Sequence, residues 1–297
     1  MTVPRHIVDV LTPLHASDAS FTLSNGRVTA SDNSKQYLYR TATAPATQLV
    51  GELESVRLIQ QAVDGFIPRL LGFGKHDNGD CWMLTEYHDM SSPRSAQQQA
   101  LLGQRLALLH GAPTPQNQEF GFHVTTCCGV TEQDNTYERS WATFFAEKRI
   151  GDMIRRIQDQ DLDHRLDKLV QQVIPALLNP LKVSPSLLHG DFWSGNVAFS
   201  NTTRQPICFD PSSYYGHSEA DLGITRMFGG FSKAFYDSYH EGRPKHEPIQ
   251  EYELRQQLYE LYHHLNHMLM FGNSYKAGAL RLIDLLFEWH ESQRIES

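Results

Sequence analysis

The segment LLHGDFWSGNVAF, residues 187–199, brings His189, Gly190 and Asp191 to the end of an apolar lead-in and sets Asn196 five positions after Asp191. A carboxylate followed at that interval by an amide suits transfer of a phosphoryl group to a hydroxyl. Asp191 would face the incoming hydroxyl as general base, while the loop curls so that the Asn196 amide oxygen reaches a divalent metal on the phosphate side. Gly190 and Gly195 permit the tight backbone this requires. Further on, Asp210 ends a second apolar stretch in ICFDPSSYYG. Its carboxylate would be the second ligand to Mg²⁺ bridging nucleotide phosphates. Either aspartate alone reads equally well as a turn residue or a helix cap. Together, in this order and spacing, they read as a site.

A phosphoryl-transfer cleft also needs a cation on the phosphates and an acid to hold it. YLYRTA, residues 37–42, offers Arg40 on a strand where most kinases carry Lys, and Glu52 on the following helix is placed to pair with it. Without the downstream motif these would be an ordinary surface Arg and Glu. Arg supplies charge and a bidentate grip, though its fork differs from the point charge of Lys. LSNGRVTAS has a single glycine and predicts only a hairpin. CWMLTEY, residues 81–87, would connect two lobes and offer backbone near Glu86 and Tyr87 to adenine; its plainer reading is a central strand.

The elements around these residues change period along the chain. Strand-like runs at 20–23, 27–31 and 36–40 are separated by the turn dipeptides Asn25-Gly26 and Asp32-Asn33. A helix is predicted over 47–63, with Leu49, Leu53, Val56 and Ile59 on one face, then strands near 69–73 and 81–86. After Ser91-Ser92-Pro93 the period becomes helical, with helices ending near His110-Gly111 and over 141–154 and 162–178. Leu254, Leu258, Leu261, Leu265 and Met268 mark a further amphipathic helix near the C-terminus. The fold expected is α+β: a small β-rich lobe, residues 1–87, followed by a larger helical lobe, residues 88–297, that holds the catalytic loop.

Composition narrows the class. The chain has 297 residues, 40% hydrophobic, with a formal net charge of −8. Met268 to Phe271 is a short apolar run against the roughly 20 residues of a membrane span, and MTVPRHIVDVLTP lacks the cationic head and apolar core of a secretory leader. Four cysteines, two of them adjacent at 127 and 128, make a poor disulfide framework and fit the cytoplasm. The acidic balance argues against nucleic-acid binding. Cys127-Cys128 reads as packing or turn. His263, His264 and His267 share a helix, and although His263 and His267 are spaced as a zinc pair, with no third ligand in view they read as solvated side chains.

At HGDFWSGN (189–196), FDPSSYYGHSEADLG (209–223), MFGGF (227–231), GELES (51–55), EYHDM (86–90) and FGFHVTTCCG (120–129), the chain resembles the fructosamine/ketosamine 3-kinase family of the protein-kinase-like superfamily. The resemblance covers residues 20–270 and implies the bilobal fold of aminoglycoside and choline kinases. It implies phosphorylation, with ATP and Mg²⁺, of the sugar 3-hydroxyl of ketoamines, on small molecules or glycated proteins, as deglycation repair. By the same resemblance Asp191 is the catalytic base, Asn196 and Asp210 the metal ligands, and Arg40 and Glu52 the phosphate-side ion pair. Glu86, Tyr87 and His88 form the nucleotide hinge, Trp193, Tyr214, Tyr215 and His217 line the substrate cleft, and Asp221 is a buried brace. Arg40 departs from the family's usual Lys. Two other readings remain open in sequence: a kinase of the same fold acting on an aminoglycoside, choline or a sugar, and a weakened pseudokinase acting as a binding module. The sugar, the carrier of the acceptor amine and the oligomeric state are not legible.

Overall fold

The computed structural model describes residues 2–115 and 118–296. Its first layer is a five-stranded antiparallel sheet of order β1-β2-β3-β5-β4: β1 (Phe21–Ser24), β2 (Arg27–Ala30), β3 (Gln36–Ala42), β4 (Leu70–Lys75) and β5 (Cys81–Glu86). Helix α1 (Arg5–Leu11) packs on one face and α2 (Thr47–Ala62) on the other. The alternation of side chains along β5 shows how. Trp82 and Leu84 join Ile7 and Leu11 of α1, while Met83 meets Leu49 and Leu53 of α2. A strand covered on both faces must be apolar throughout, which is why CWML has no polar alternation. Helix α1 has no counterpart among the elements expected from sequence; Ile7 and Leu11, with Val8 and Val10 partly buried beside them, face the sheet, but its seven residues span less than two full turns of pattern.

From β5 the chain crosses at residues 87–89 to β6 (Met90–Ser91), which pairs with β10 (Val197–Ser200). That pairing carries the first sheet's last strand directly onto the catalytic segment. Helix α3 (Ala96–His110) opens with a capping box in which Ser95 accepts from the Gln98 amide. The hairpin β7 (Cys127–Cys128) and β8 (Thr131–Glu132) leads to α4 (Trp141–Phe145) and α5 (Gly151–Ile157), continuous through one widened turn. The pair α6 (Gln160–Lys168) and α7 (Ile174–Leu178) repeats the device. Strand β9 (Ser186–Leu187) precedes β10, and β11 (Pro206–Cys208) and β12 (Tyr215–Gly216) follow it. Helices α8 (Ala220–Met227), α9 (Lys233–Gly242), α10 (Tyr252–Phe271) and α11 (Lys276–Glu296) complete the chain.

Among the described residues, no helix is long and apolar enough to cross a membrane. The core of the helical part centres on Leu102, Leu106, Phe144, Phe145, Leu258 and Leu265, all essentially solvent-free. The stripe expected on α10 is among them: Leu258, Leu261, Leu265 and Met268 are buried.

Helix α2 is shared between the two layers. Gly51 sits against the 125–126 backbone so closely that a Cβ would lie 2.5 Å from the Thr125 carbonyl oxygen. Ser55 Oγ accepts from the Ser213 amide at 3.1 Å. The small residues in GELES are therefore a docking face that fixes the helix bearing Glu52. Replacing Gly51 by Ala puts a methyl against immovable backbone; a loss of about 1–3 kcal/mol in urea unfolding is expected, and unchanged stability would show that the helix is free to shift.

Candidate active site

The loop 189–196 is held from beneath by one buried carboxylate. Asp221, in the first turn of α8, accepts from the His189 amide at 2.6 Å and the Gly190 amide at 2.8 Å. The His110 ring donates to it through Nε2 at 3.0 Å, and His110 Nδ1 in turn meets the Tyr239 hydroxyl at 2.8 Å. Burial would raise the Asp221 carboxyl, but these donors outweigh it and hold the group below its ordinary 3.8. Gly190 has φ of +86°, and any side chain there would overlap the Ser212 carbonyl oxygen. His189 Nδ1 accepts from the Asp191 amide at 3.3 Å and Nε2 donates to the Phe209 carbonyl at 3.1 Å. Burial lowers its pKa, so the ring is neutral.

Strand register brings the three predicted polar groups together. Val197 pairs with Cys208 in the β10–β11 hairpin, so Asn196 and Phe209 face each other, with the Phe209 amide donating to the Asn196 carbonyl at 3.0 Å. Asp210 is the next residue. Asp191, Asn196, Asp210, Arg40, Glu52 and Trp193 all line one cavity of about 240 Å³. The Asn196 amide nitrogen donates to the Asp191 carbonyl and to Asp191 Oδ2, both at 3.0 Å. With the nitrogen so committed, Oδ1 is the amide atom left to act as a ligand. An amide oxygen beside a carboxylate is a hard-oxygen donor set, which fits magnesium.

Charge is concentrated here. Arg40 Nη2 pairs with Glu52, and its Nη1 lies 3.4 Å from Asp210 Oδ1. Burial raises the Glu52 carboxyl while Arg40 opposes the rise. Burial also drives Asp191 up to about 7, with Asn196 pulling it down and the nearby Asp221 and Asp210 pushing it further up. A carboxyl tuned this way is suited to taking a proton near neutrality.

A second cavity of about 310 Å³ joins the first at Arg40, Glu52 and Asp210. Leu38, Val56, Ile67 and Met83 form its apolar walls and residues 85–88 its edge. The hinge side chains are occupied elsewhere. Glu86 accepts from Lys35 at 2.9 Å, the Arg27 guanidinium lies 4.1 Å above the Tyr87 ring, and His88 Nδ1 meets Ser200 Oγ at 3.2 Å. The Tyr87 amide donates to Gln36, while the Glu86 amide donates to Arg69 on the opposite side. By antiparallel alternation, the Glu86 carbonyl also turns away from β3, toward that side.

A third cavity, about 420 Å³, opens on the other side of Asp191 and Trp193, between Val130 of the β7–β8 turn and His267, Met270 and Phe271 of α10. Here two expectations need correction. His263 is not solvated, and His267 is half-buried in the wall of this cavity. His263 is buried and burial lowers its ring to about 3; ligating atoms of His263, Cys128 and Asp191 lie within 4.8 Å of one another. His267 Nδ1 donates to the His263 carbonyl at 2.8 Å, which leaves Nε2 as an unprotonated acceptor. The hairpin covers this side of α10, a contact that helical periodicity does not reveal.

Tyr214, Tyr215 and His217 are likewise not cleft residues. All three are buried at or beside β12, which pairs with β9 inside the helical core and has core side chains on both faces. Tyr214 stacks on Phe144 beneath Arg149, Tyr215 is buried beside Phe122, and His217 bonds Tyr259 at 2.8 Å and His246 at 3.0 Å. Trp193 alone of the proposed substrate wall stands in the cleft. The structure adds Val130, His267, Met270 and Phe271. Met270 and Phe271 had a sequence signal in the apolar run Met268 to Phe271, which continues past the buried stripe, and His267 in its spacing from His263; Val130 had none.

Comparison with known proteins places this geometry. The family model described as fructosamine kinase matches residues 15–288. A mouse protein named ketosamine-3-kinase is 33% identical over 287 residues, covering 88% of this chain and 91% of its own. An Arabidopsis protein named protein-ribulosamine 3-kinase, chloroplastic, is 38% identical over 215 residues, 71% of this chain and 63% of the plant protein. Among solved structures, a Thermobifida fusca protein superposes with a TM-score of 0.76 at 23% identity, covering 95% and 98% of the two chains. An aminoglycoside phosphotransferase, solved with AMP-PNP and hygromycin B, superposes at 0.60 with 12% identity over 99% of both. The fold is that of the kinase-like phosphotransferases.

The brace makes a pH-dependent prediction. A carboxyl lowered on folding contributes stability above its unfolded pKa, near 3.8, and loses it as pH falls through the folded value. Asp221→Asn should therefore cost about 3 kcal/mol at pH 7, with the difference from wild type shrinking as both are titrated below pH 4. A constant difference across that range would remove the ionised carboxylate from the account.

Proposed function

The chain belongs to the fructosamine kinase family, and from that premise we propose that its cleft transfers the terminal phosphoryl group of ATP to the 3-hydroxyl of a ketoamine sugar, a step in deglycation. The single observation that carries this reading is the convergence of Asp191, Asn196 and Asp210 on one cavity that continues into an apolar, strand-edged pocket on one side and an aromatic one on the other. In this reading residues 1–87 cover the nucleotide and residues 88–297 carry the chemistry. Four free cysteines fit work in the cytoplasm.

Magnesium, when bound with the nucleotide, neutralises charge on the phosphates; Asn196 and Asp210 are the residues that would hold it. The remaining work is done by side chains of this chain. The pocket edged by Glu86, Tyr87 and His88 takes adenine against its backbone. Asp191 orients the acceptor hydroxyl and takes its proton as the new O–P bond forms, then releases that proton to solvent. Arg40, steadied by Glu52, sets its guanidinium against the phosphates. Trp193 offers a flat wall to the apolar face of the sugar, and His267 Nε2 accepts from one of its hydroxyls. Asp221 keeps the loop that bears Asp191 in place without touching substrate.

Synthetic ketoamines and labelled ATP test the assignment. Wild type should transfer label, and Asp191→Ala should lower kcat by about 10³-fold while ATP with Mg²⁺ still raises its melting temperature. Asp210→Asn should lose both turnover and that ligand-induced shift. An Asp191→Ala protein that turns over at the wild-type rate would remove Asp191 from the mechanism.

A further inference from the structure

The acceptor cavity does not end in a polar mouth. Its outer lip is formed by Val130 and Phe271, which are 75% and 65% exposed, and Phe228, 38% exposed, stands against Trp193 and His267 of its wall. These side chains continue the wall of the catalytic site. The Trp193 ring lies 5.2 Å from Phe228, Phe228 lies 5.1 Å from His267, and His267 lies 5.6 Å from Phe271. An unbroken aromatic surface therefore runs from the residue two positions after the catalytic base out to solvent. The turn bearing Val130 is anchored from both sides. Gln48 of α2 donates to the Gly129 carbonyl at 3.1 Å, and Asn266 of α10 donates to the Cys128 carbonyl at 3.1 Å. The lip is thus a fixed feature, and water-facing apolar side chains grouped at a site's mouth mark an interaction surface.

Resting on the ketoamine-kinase reading above, we propose that Val130, Phe228 and Phe271 form a docking rim for a polypeptide that carries the ketoamine on a lysine side chain, and that the rim selects lysines with apolar neighbours. The geometry commits the occupant. With the sugar hydroxyl at Asp191, the acceptor amine and whatever bears it must leave the cavity past Val130 and Phe271. A lysyl stem passes through an apolar throat without loss, whereas a free amino acid would present its charged ends to the rim. Residues on either side of the modified lysine then lie on the three exposed side chains. Burying one aliphatic neighbour there is worth about tenfold in affinity.

The experiment compares three acceptors: the ketoamine of acetylated lysine amide, and peptides carrying the same modified lysine flanked by leucines or by glutamates. The leucine-flanked peptide should exceed the small acceptor about tenfold in kcat/KM, through KM with kcat little changed, and the glutamate-flanked peptide should not. In the Val130→Ser, Phe271→Ser double variant, the ratio of leucine-flanked peptide to small acceptor should fall to within about twofold of one; because a ratio is read, partial unfolding does not affect it. Phosphorylation of the small acceptor with no peptide advantage, or an advantage that survives the double variant, overturns the rim and leaves the kinase reading intact. Failure to phosphorylate any of the three overturns both.

Discussion

The Asp221 carboxylate, buried among helices and accepting three hydrogen bonds, is the interaction on which the rest of the site depends. It satisfies two consecutive loop amides that no strand partner reaches, and so allows the chain to turn sharply at Gly190 and present Asp191 to the cleft. A buried charge left without partners would cost several kcal/mol. His110 and the two amides remove that penalty and tie α3, α8 and the loop to one point. Asp191 is therefore positioned by a buried group that lies behind it.

The phosphate side is organised by a different economy of charge. Three acids, Glu52, Asp191 and Asp210, face a single arginine across one cavity. Burial, reinforced by Asp210 and by Asp221 behind the loop, raises Asp191 toward neutrality, and the three acids leave the cavity short of positive charge, a deficit that suits a metal–nucleotide complex. Helix α2, bearing Glu52, is clamped to the larger lobe through Gly51 and Ser55. Arg40 comes from the sheet and meets Glu52 there, so the ion pair ties the sheet to the helix docked on the larger lobe. The guanidinium spans both Glu52 and Asp210, a reach that its two-pronged end supplies and an ammonium would not duplicate.

Much of this was legible in the sequence because it rests on local spacing. The five-residue interval from Asp191 to Asn196, the hairpin-bounded strands, and the helical stripe of α10 are all short-range patterns, and each appears where its period places it. Tyr214, Tyr215 and His217 were misplaced because a family motif says that residues belong together without saying which way a strand turns. Strand β12 lies inside the helical core with core side chains on both of its faces, so all three are buried whichever way they point. His263 and His267 were misread for the converse reason. A helix with polar residues on its outer face looks solvated until a distant hairpin, here Cys127 to Glu132, covers it. Helix α1 was missed because its seven residues span less than two full turns, too short a window for a helical period to stand out.

The account's central claim concerns where the phosphoryl group lands. Two-dimensional ³¹P–¹H correlation spectroscopy of the product formed from ATP, Mg²⁺ and a synthetic ketoamine reads this directly. A single phosphate ester coupled to the proton on sugar carbon 3, formed one for one with ADP, is the result expected. ADP formation with inorganic phosphate alone, or a phosphate coupled to any other position, would contradict the placement of the acceptor against Asp191.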